Sequence, residues 1–262
     1  MPAGFAGVEQ QLLVWMLAMI RPGAAFLAAP LFGAPQVPVQ LRLVLALAIG
    51  VPAAAVSGMT IPPEGVVSVP GILFIVPEVI AGLAMGFAVQ IGFASAMLGG
   101  EAISNTMGLG FAAMANPMGG PATPAIGQFL SMMALFLFMG FGGHLTLIGI
   151  IVESYKALPP GHAWLSADAI GGIVKFGGLV FAAGLSIALP VGFAMILVQI
   201  VMAMVARATP TLNLFAVGLP ATLLVGLVLL AAAAPAMSDS IVNALKLGLG
   251  EAATIAGLPG NG

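Results

Sequence analysis

Long apolar segments divided by very few charges set the strongest limit on how this chain can fold. Only 5% of the 262 residues are charged and 61% are hydrophobic, whereas an ordinary soluble domain carries roughly 25% charged residues. So few charges cannot cover a surface that faces water, and the chain therefore needs lipid, apolar partners, or both. The sequence predicts an integral membrane protein.

The spacing of the rare charges predicts how many helices there are. A bilayer core takes about 20 apolar residues as a helix, and the chain divides at roughly that spacing into six apolar segments: 12–29, 41–56, 77–98, 128–152, 173–205, which is longer and has Pro190 in its middle, and 212–234. A transmembrane β-barrel would need alternating apolar and polar residues, which a segment such as 222–234 lacks. We expect an all-α, polytopic membrane protein of about six apolar helices.

No repeat and no linker divides the sequence, so a single domain over residues 1–262 is expected. A short tail, 235–262, follows the last apolar segment, and its polar residues at helical spacing from Pro235 to Gly250 predict an amphipathic surface helix. The N-terminus lacks the basic region of a signal peptide, so the first apolar segment is expected to be kept. Tyr155 and Trp164 flank a polar connection and suit a membrane–water interface.

The charge balance excludes several classes of function and leaves the orientation open. A net charge of −2 gives no reason to expect a nucleic acid, and the absence of cysteine excludes disulfides and thiol chemistry. The six lysines and arginines divide evenly between the two sides of a six-helix topology, so the rule that places basic loops inside does not choose an orientation.

The segment 99–127 is rich in glycine, methionine and proline and is the most informative part of the sequence. Glycines and prolines interrupt a helix there, yet the residues between them are apolar and no charge follows Glu101. Irregular backbone at membrane depth is tolerated only where it is buried in protein or lines a cavity. We expect a plug-like loop in which flexible Met and bulky Phe form a deformable seal. An ordinary surface loop is the alternative.

Glu78 has two interpretations. Because it follows Pro77, it fits a carboxylate at the start of a helix, where the helix dipole favours negative charge. Alternatively, it is a buried ionisable group in a proton path. Gly82 and Gly86 follow at intervals of four residues, a spacing that lets two helices approach closely in a membrane.

Three arginines, Arg21, Arg42 and Arg207, stand at or inside the ends of predicted helices. Such side chains reach to the interface, bond to backbone carbonyls, or pair with a carboxylate, for which Glu78 and Glu101 are the candidates.

The sequence contains almost no residues in arrangements that could support catalysis. His144 and His162 stand apart, and neither has a second ligand at metal-binding spacing. The nucleophile elbow and the phosphate-binding loop are absent from the sequence. We expect neither an enzyme nor a cofactor or metal site.

Several distinctive motifs are distributed along the whole chain. They include Arg21-Pro22-Gly23, the Glu78-xxx-Gly82-xxx-Gly86 pattern and Gly100-Glu101-Ala102-Ile103. The most specific is the block 206–220, which reads ARATPTLNLFAVGLP. Together these motifs resemble those of the FliR family of flagellar and type III secretion export-gate proteins. Two departures are Thr211, where the family often has glutamine, and the Met/Gly-rich stretch 113–123, where relatives often carry an acidic residue.

The resemblance implies a structural subunit of the flagellar protein-export gate in the basal body, in the bacterial inner membrane. Such a subunit assembles with FliP and FliQ into a helical, closed pore beside FlhB and FlhA. Unfolded flagellar proteins pass through that pore as transient cargo. Some apolar helices are then expected to be bent or hairpin-like and to pack against neighbouring subunits. The resemblance does not choose between a flagellar and a virulence-type system.

The resemblance also implies two sets of site residues. The first closes the channel as the plug segment, 107–120, and its residues are Met107, Gly108, Leu109, Gly110, Phe111, Met114 and Met118. The second serves helix packing and assembly, and its residues are Glu78, Gly82, Gly86, Arg207, Pro210, Asn213, Gly218 and Pro220.

A secondary transporter is the competing hypothesis. Its motivation is the presence of Glu78 and Glu101 inside apolar helices, and it requires an internal repeat that the sequence does not show.

Overall fold

All regular elements of the computed structural model are α-helices within the residues that the structure describes, which are 3–110, 125–209 and 214–259. This confirms the all-α fold class. The eight described helices are α1 (Ala3–Ala18), α2 (Ile20–Ala28), α3 (Val39–Ser57), α4 (Val69–Thr106), α5 (Ala125–Gly140), α6 (Gly143–Ala157), α7 (Ala167–Ala208) and α8 (Leu214–Ile255).

The helix predicted over 12–29 is divided at Met19 into α1 and α2. Pro22 explains the break, because it has no N–H to donate to the carbonyl of Ala18 one turn earlier. That freed carbonyl accepts a hydrogen bond from the hydroxyl of Tyr155 at 2.8 Å. The predicted first segment is therefore one apolar span, Gly7–Ala28, with a break at Met19 inside it.

Helix α4 is longer than the predicted segment 77–98 at both ends. It begins at Val69 because Ser68 caps it: the Ser68 hydroxyl accepts a hydrogen bond from the N–H of Gly71 at 3.1 Å. Pro77 lies inside the helix, so the placement of Glu78 at a helix start is wrong. At the other end α4 continues to Thr106, so the first eight residues of the predicted loop 99–127 are helical.

The predicted helix 128–152 is two helices, α5 and α6. The backbone breaks at Gly142, whose φ of 75° lies in the left-handed region that favours glycine.

Helix α8 passes through Pro220 and Pro235 without ending and continues to Ile255. The residues beyond Pro235 are not a surface helix, since Met237, Ile241 and Leu245 are at most 1% exposed. The prediction of a separate amphipathic helix from Pro235 to Gly250 is therefore wrong. Proline was misleading here because the helix tolerates the missing N–H where its neighbours pack well.

The chain groups into two compact units. Unit 1 contains Met1–Ile91, Phe141–Gly177 and Lys246–Gly262, and unit 2 contains Gly92–Gly140 and Gly178–Leu245. Side chains from each unit form its own core: Leu17, Phe26, Met85, Leu147 and Ile151 are fully buried in unit 1, and Ile103, Leu130, Phe138, Ile187 and Met195 in unit 2. Helices α4, α7 and α8 contribute residues to both units. The single domain over 1–262 stays a prediction.

Four of the described helical segments are long and apolar enough to cross a membrane, or five if α5 and α6 form one span. Large apolar side chains on α7 remain exposed within the chain, among them Val174 at 73% and Phe181 at 69%. Such side chains require lipid or another subunit around them. Together these features are those of a polytopic membrane protein, as predicted.

Candidate functional site

A fully buried ion pair joins α2 to α4 in unit 1. Arg21 Nε donates to one carboxylate oxygen of Glu78, Oε2, at 2.9 Å, and Arg21 Nη2 donates to the other, Oε1, at 2.9 Å. Neither side chain is exposed to solvent. The two parallel bonds form the bidentate geometry that guanidinium and carboxylate groups favour.

Other groups form further hydrogen bonds with this pair. Arg21 Nη1 donates to the hydroxyl of Ser154 at 2.9 Å, and Nη2 also donates to the carbonyl oxygen of Leu158 at 2.9 Å. The backbone N–H of Gly161 donates to Glu78 Oε1 at 3.0 Å. Both carboxylate oxygens of Glu78 are therefore engaged.

Tyr155 completes the cluster. The guanidinium carbon of Arg21 lies 4.1 Å from the centre of the Tyr155 ring, which is a cation–π contact. Tyr155 is 2% exposed, so its ring is covered by protein, and its place at the membrane–water interface stays a prediction. Trp164, the other ring with that prediction, is 53% exposed.

The Arg21–Glu78 pair stabilises the packing of α2, α4 and α6 only while both side chains are present. Removing one partner of a buried pair leaves an uncompensated charge and costs about 3–5 kcal/mol. The network gives Glu78 a structural partner for each oxygen. It also selects Arg21, from the three arginines considered, as the one that pairs with a carboxylate.

Gly82 and Gly86 lie on α4 directly against α2. A Cβ added to Gly82 would contact the carbonyl oxygen of Arg21 and lie 2.8 Å from the Cβ of Ala24. A Cβ added to Gly86 would contact the carbonyl oxygen of Ala25 and lie 2.9 Å from the Cβ of Ala28. These glycines allow the close approach on which the Arg21–Glu78 pair depends.

The other arginines have different surroundings. Arg42 Nη2 donates to the carbonyl oxygen of Ala34 at 2.7 Å. Arg207 is exposed in the last turn of α7, where a cation suits the helix dipole. Glu101 is part-buried on α4 within unit 2.

The remaining residues predicted for packing or assembly belong to the block 206–220. Pro210 and Asn213 lie outside the described residues. Gly218 is buried and Pro220 is exposed, and both lie in the first turns of α8. The structure thus brings Glu78, Gly82 and Gly86 together on one helix.

The plug segment begins where α4 ends. Met107 is 1% exposed and packs against Gly226 of α8, where an added Cβ would lie 2.7 Å from Met107 Cγ. Gly108 follows with a φ of 81°, which terminates the helix in the left-handed conformation. Leu109 is half-buried and Gly110 is exposed. Phe111, Met114 and Met118 lie outside the described residues.

Gln199 makes a contact with another helix that the sequence did not lead us to predict. Its side-chain Nε2 donates to the carbonyl oxygen of Thr106 at 2.7 Å, which joins α7 to the last residue of α4. The sequence does show Gln199 as a polar residue in a long apolar helix. Polar side chains in such helices commonly form hydrogen bonds to a neighbouring helix, so this contact could have been expected. The same signal applies to Ser154 and Tyr155 on α6.

The described part of the chain contains no cluster of three or more His, Asp or Glu side chains that could hold a metal ion. His144 lies in the first turn of α6, and its buried Nδ1 has no hydrogen-bond partner.

Comparison with known proteins places the chain in a family. The model of "Bacterial export proteins, family 1" matches residues 12–247. The flagellar biosynthetic protein FliR of Escherichia coli is 32% identical over 231 residues, which cover 87% of this chain and 88% of that protein. FliR of Caulobacter vibrioides is 31% identical, covering 84% and 88%. FliR of Bacillus subtilis is 29% identical, covering 82% and 84%. The chain therefore belongs to family 1 of the bacterial export proteins, the FliR family, as its sequence motifs indicated.

Proposed function

We propose that this chain is a structural subunit of the flagellar protein-export gate, and that its plug segment, 107–120, closes the channel. Membership of the FliR family supports the role in export. The observation that carries the closing role is the turn at the end of α4, where Met107 is buried against α8 and an apolar, glycine-containing sequence departs from it.

The composition of the plug segment suits a seal. Methionine and phenylalanine side chains can fill an irregular gap, and an apolar constriction excludes water and hydrated ions without a covalent barrier. Glycines permit the segment to change conformation when an unfolded protein enters. The residues proposed to line the closed channel are Met107, Gly108, Leu109, Gly110, Phe111, Met114 and Met118.

The proposed partners are FliP and FliQ within the gate, with FlhB and FlhA beside it, in the bacterial inner membrane at the flagellar basal body. Exposed apolar side chains support such neighbours. On α7, Leu185, Leu189 and Phe193 are each more than half exposed within the chain. Faces of this kind are covered either by lipid or by other helices. The proposed cargo is unfolded flagellar proteins, and no enzymatic step is proposed.

The transporter hypothesis gains no support from Glu78. A carboxylate that carries a coupling ion needs access to a cavity or pathway, whereas both oxygens of Glu78 are held by Arg21 and Gly161 in a buried cluster.

Deletion within the plug segment tests the closing role. A chain lacking residues 108–118, assembled in the native gate, should make membranes leak small solutes, and Phe111→Ala should give a milder leak. Solute release from membrane vesicles is the measurement, with the amount of assembled gate determined in parallel. If fully assembled gates with the deletion stay as tight as the parent, the closing role is wrong.

A further inference from the structure

A cavity of about 590 Å³ lies within unit 1, between α6 and the C-terminal end of α8. Its walls come from two segments, 141–153 and 246–259, whose lining side chains are apolar except for Thr146, Glu153 and Lys246. Sites for small ligands commonly have volumes of about 300–1,000 Å³. We infer that this cavity binds a zwitterionic phospholipid, with Lys246 at the phosphate and Glu153 at the ammonium group of the headgroup.

Two glycines keep the space between the walls open. Gly149 on α6 and Gly250 on α8 both line the cavity, and a Cβ added to either would meet nothing within 4 Å. Farther along, the same two chain segments approach closely, since a Cβ added to Gly257 would lie 3.2 Å from the Cβ of Ala157. The segments are therefore in contact near their ends and separated at the cavity, which leaves room for a ligand.

The cavity is apolar at its base and charged at its edge. Ile150 on α6 and Leu249 on α8 line it and are only 7% and 6% exposed. Glu153 and Lys246 line it and are exposed. A phospholipid has the same order of groups, because a charged headgroup follows apolar acyl chains. Its chains would be covered by the apolar base while its headgroup stayed at the surface, where lysine side chains of membrane proteins reach lipid phosphates.

Glu153 and Lys246 have no partner that would compete with a ligand. Neither side chain forms an ion pair or a hydrogen bond among the described residues. Lys246 lies eleven residues before Gly257, and Glu153 lies four residues before Ala157. At 1.5 Å per residue, that difference amounts to about 10 Å along the helices. A ligand that carries a negative and a positive group could lie between the two side chains and contact both.

The opposite signs of the two charges select the class of headgroup. A lysine ammonium binds a phosphate as a point charge, and a carboxylate accepts hydrogen bonds from a primary ammonium. Phosphatidylethanolamine carries both groups. Phosphatidylglycerol carries the phosphate alone, and its net negative charge would be repelled by Glu153. We therefore expect the cavity to prefer the ethanolamine headgroup.

A helix of another subunit fits the cavity less well. An α-helix with its side chains is about 10 Å across and rises 5.4 Å per turn, which amounts to roughly 400 Å³ per turn. The cavity thus holds little more than one turn. An apolar side chain inserted from such a helix would cover Ile150 and Leu249 but would leave Glu153 and Lys246 without partners.

Retention of lipid by the purified gate complex tests the site, with native mass spectrometry as the measurement. After incubation with phosphatidylethanolamine, the parent complex should retain one more lipid per copy of this chain than Gly149→Leu, whose new side chain would occupy the cavity. Gly171→Leu is the control, because Gly171 is a helical glycine of unit 1 that meets nothing within 4 Å and does not line the cavity. It should retain as many lipids as the parent.

Substitution of the two charges tests the assignment of the headgroup. Lys246→Met and Glu153→Gln should each weaken retention of phosphatidylethanolamine about fivefold, the factor that an exposed ion pair contributes. Glu153→Gln should also reduce the preference over phosphatidylglycerol, because the repulsion is removed. Lys156→Met and Glu64→Gln, at exposed charges of unit 1 that do not line the cavity, should leave retention unchanged.

A phosphatidylethanolamine with a photoreactive group in its acyl chain locates the bound lipid. Irradiation of the parent complex should attach it to 141–153 or 246–259, identified by mass spectrometry of the peptides, and Gly149→Leu should lose the attachment. Should Gly149→Leu not assemble, the attachment in the parent and the two charge variants decide.

The inference is wrong if the parent shows no attachment in these segments, or if the charge variants retain both lipids as the parent does. Loss of assembly in Gly149→Leu, together with no attachment in the parent, would show that a neighbouring subunit fills the cavity, which also overturns it. The closing role of the plug segment is decided separately, by the deletion of 108–118.

Discussion

The hydroxyl of Tyr155 donates a hydrogen bond of 2.8 Å to the carbonyl oxygen of Ala18. That carbonyl is free because Pro22, four residues later, has no N–H to offer it. Pro22 therefore interrupts the first helix and also leaves the carbonyl oxygen of Ala18 free to accept the hydrogen bond from Tyr155 on α6. The aromatic ring of the same tyrosine lies over Arg21, so one side chain contacts both the break and the buried charge.

Tyr155→Phe tests how much this hydrogen bond contributes to stability, because the substitution keeps the ring over Arg21 and removes only the hydroxyl. The carbonyl of Ala18 would be buried without a partner, and we expect a loss of about 1–3 kcal/mol in stability. Thermal denaturation of the purified gate complex measures it. Trp164→Phe, at an exposed ring, is the control, and equal effects of the two changes would contradict the assignment.

Arg21 and Glu78 should behave as a coupled pair. Arg21→Met leaves the Glu78 carboxylate buried without its cation, and the loss is expected to be about 3–5 kcal/mol. The double variant Arg21→Met with Glu78→Gln should lose less than the sum of the two single changes, because no buried charge remains.

The amount of folded chain in membranes, followed by its resistance to protease, provides the measurement for this cycle. Arg207→Met, at an exposed arginine in the last turn of α7, serves as the control for folding. Strictly additive losses would show that the two side chains act independently, against the geometry described above.

Gly86→Ala should separate α2 from α4. The new methyl group would press on the backbone carbonyl of Ala25, which cannot turn aside as a flexible side chain can. Overpacking of this kind costs about 1–3 kcal/mol. Gly149→Ala on α6 in the same unit meets nothing within 4 Å and should be neutral or slightly stabilising in thermal denaturation. A neutral Gly86→Ala would show that these helices are not closely packed.

The apolar helices themselves could be predicted from the sequence, because segments of about 20 apolar residues with so few charges have few other solutions. Their ends could not. The start of α4 depends on the capping hydroxyl of Ser68, nine residues before the proline that marked the predicted start. In α8, Pro220 and Pro235 resemble helix ends in the sequence and lie inside a continuous helix.

The site was predicted only in part for a related reason. Glycines at intervals of four residues indicated where α4 packs closely, and Glu78 was one of two candidate partners for an arginine. The choice of Arg21 depends on a contact between residues 57 apart in the chain. The contact of Gln199 with Thr106 spans 93 residues. No local spacing encodes such distances, so only the folded chain reveals them.

Unit 1 is formed from segments that lie far apart in the sequence, and this affects how it folds during synthesis on the ribosome. Gly248, near the end of the chain, packs against Ala88 and Val89 on α4, where an added Cβ would lie 2.9 Å from the carbonyl oxygen of Ala88. The packing of unit 1 around α4 is therefore incomplete until the residues from Lys246 onward have been translated. A premature stop codon just before residue 246 would leave α4 in unit 1 without the residues that pack against Ala88 and Val89.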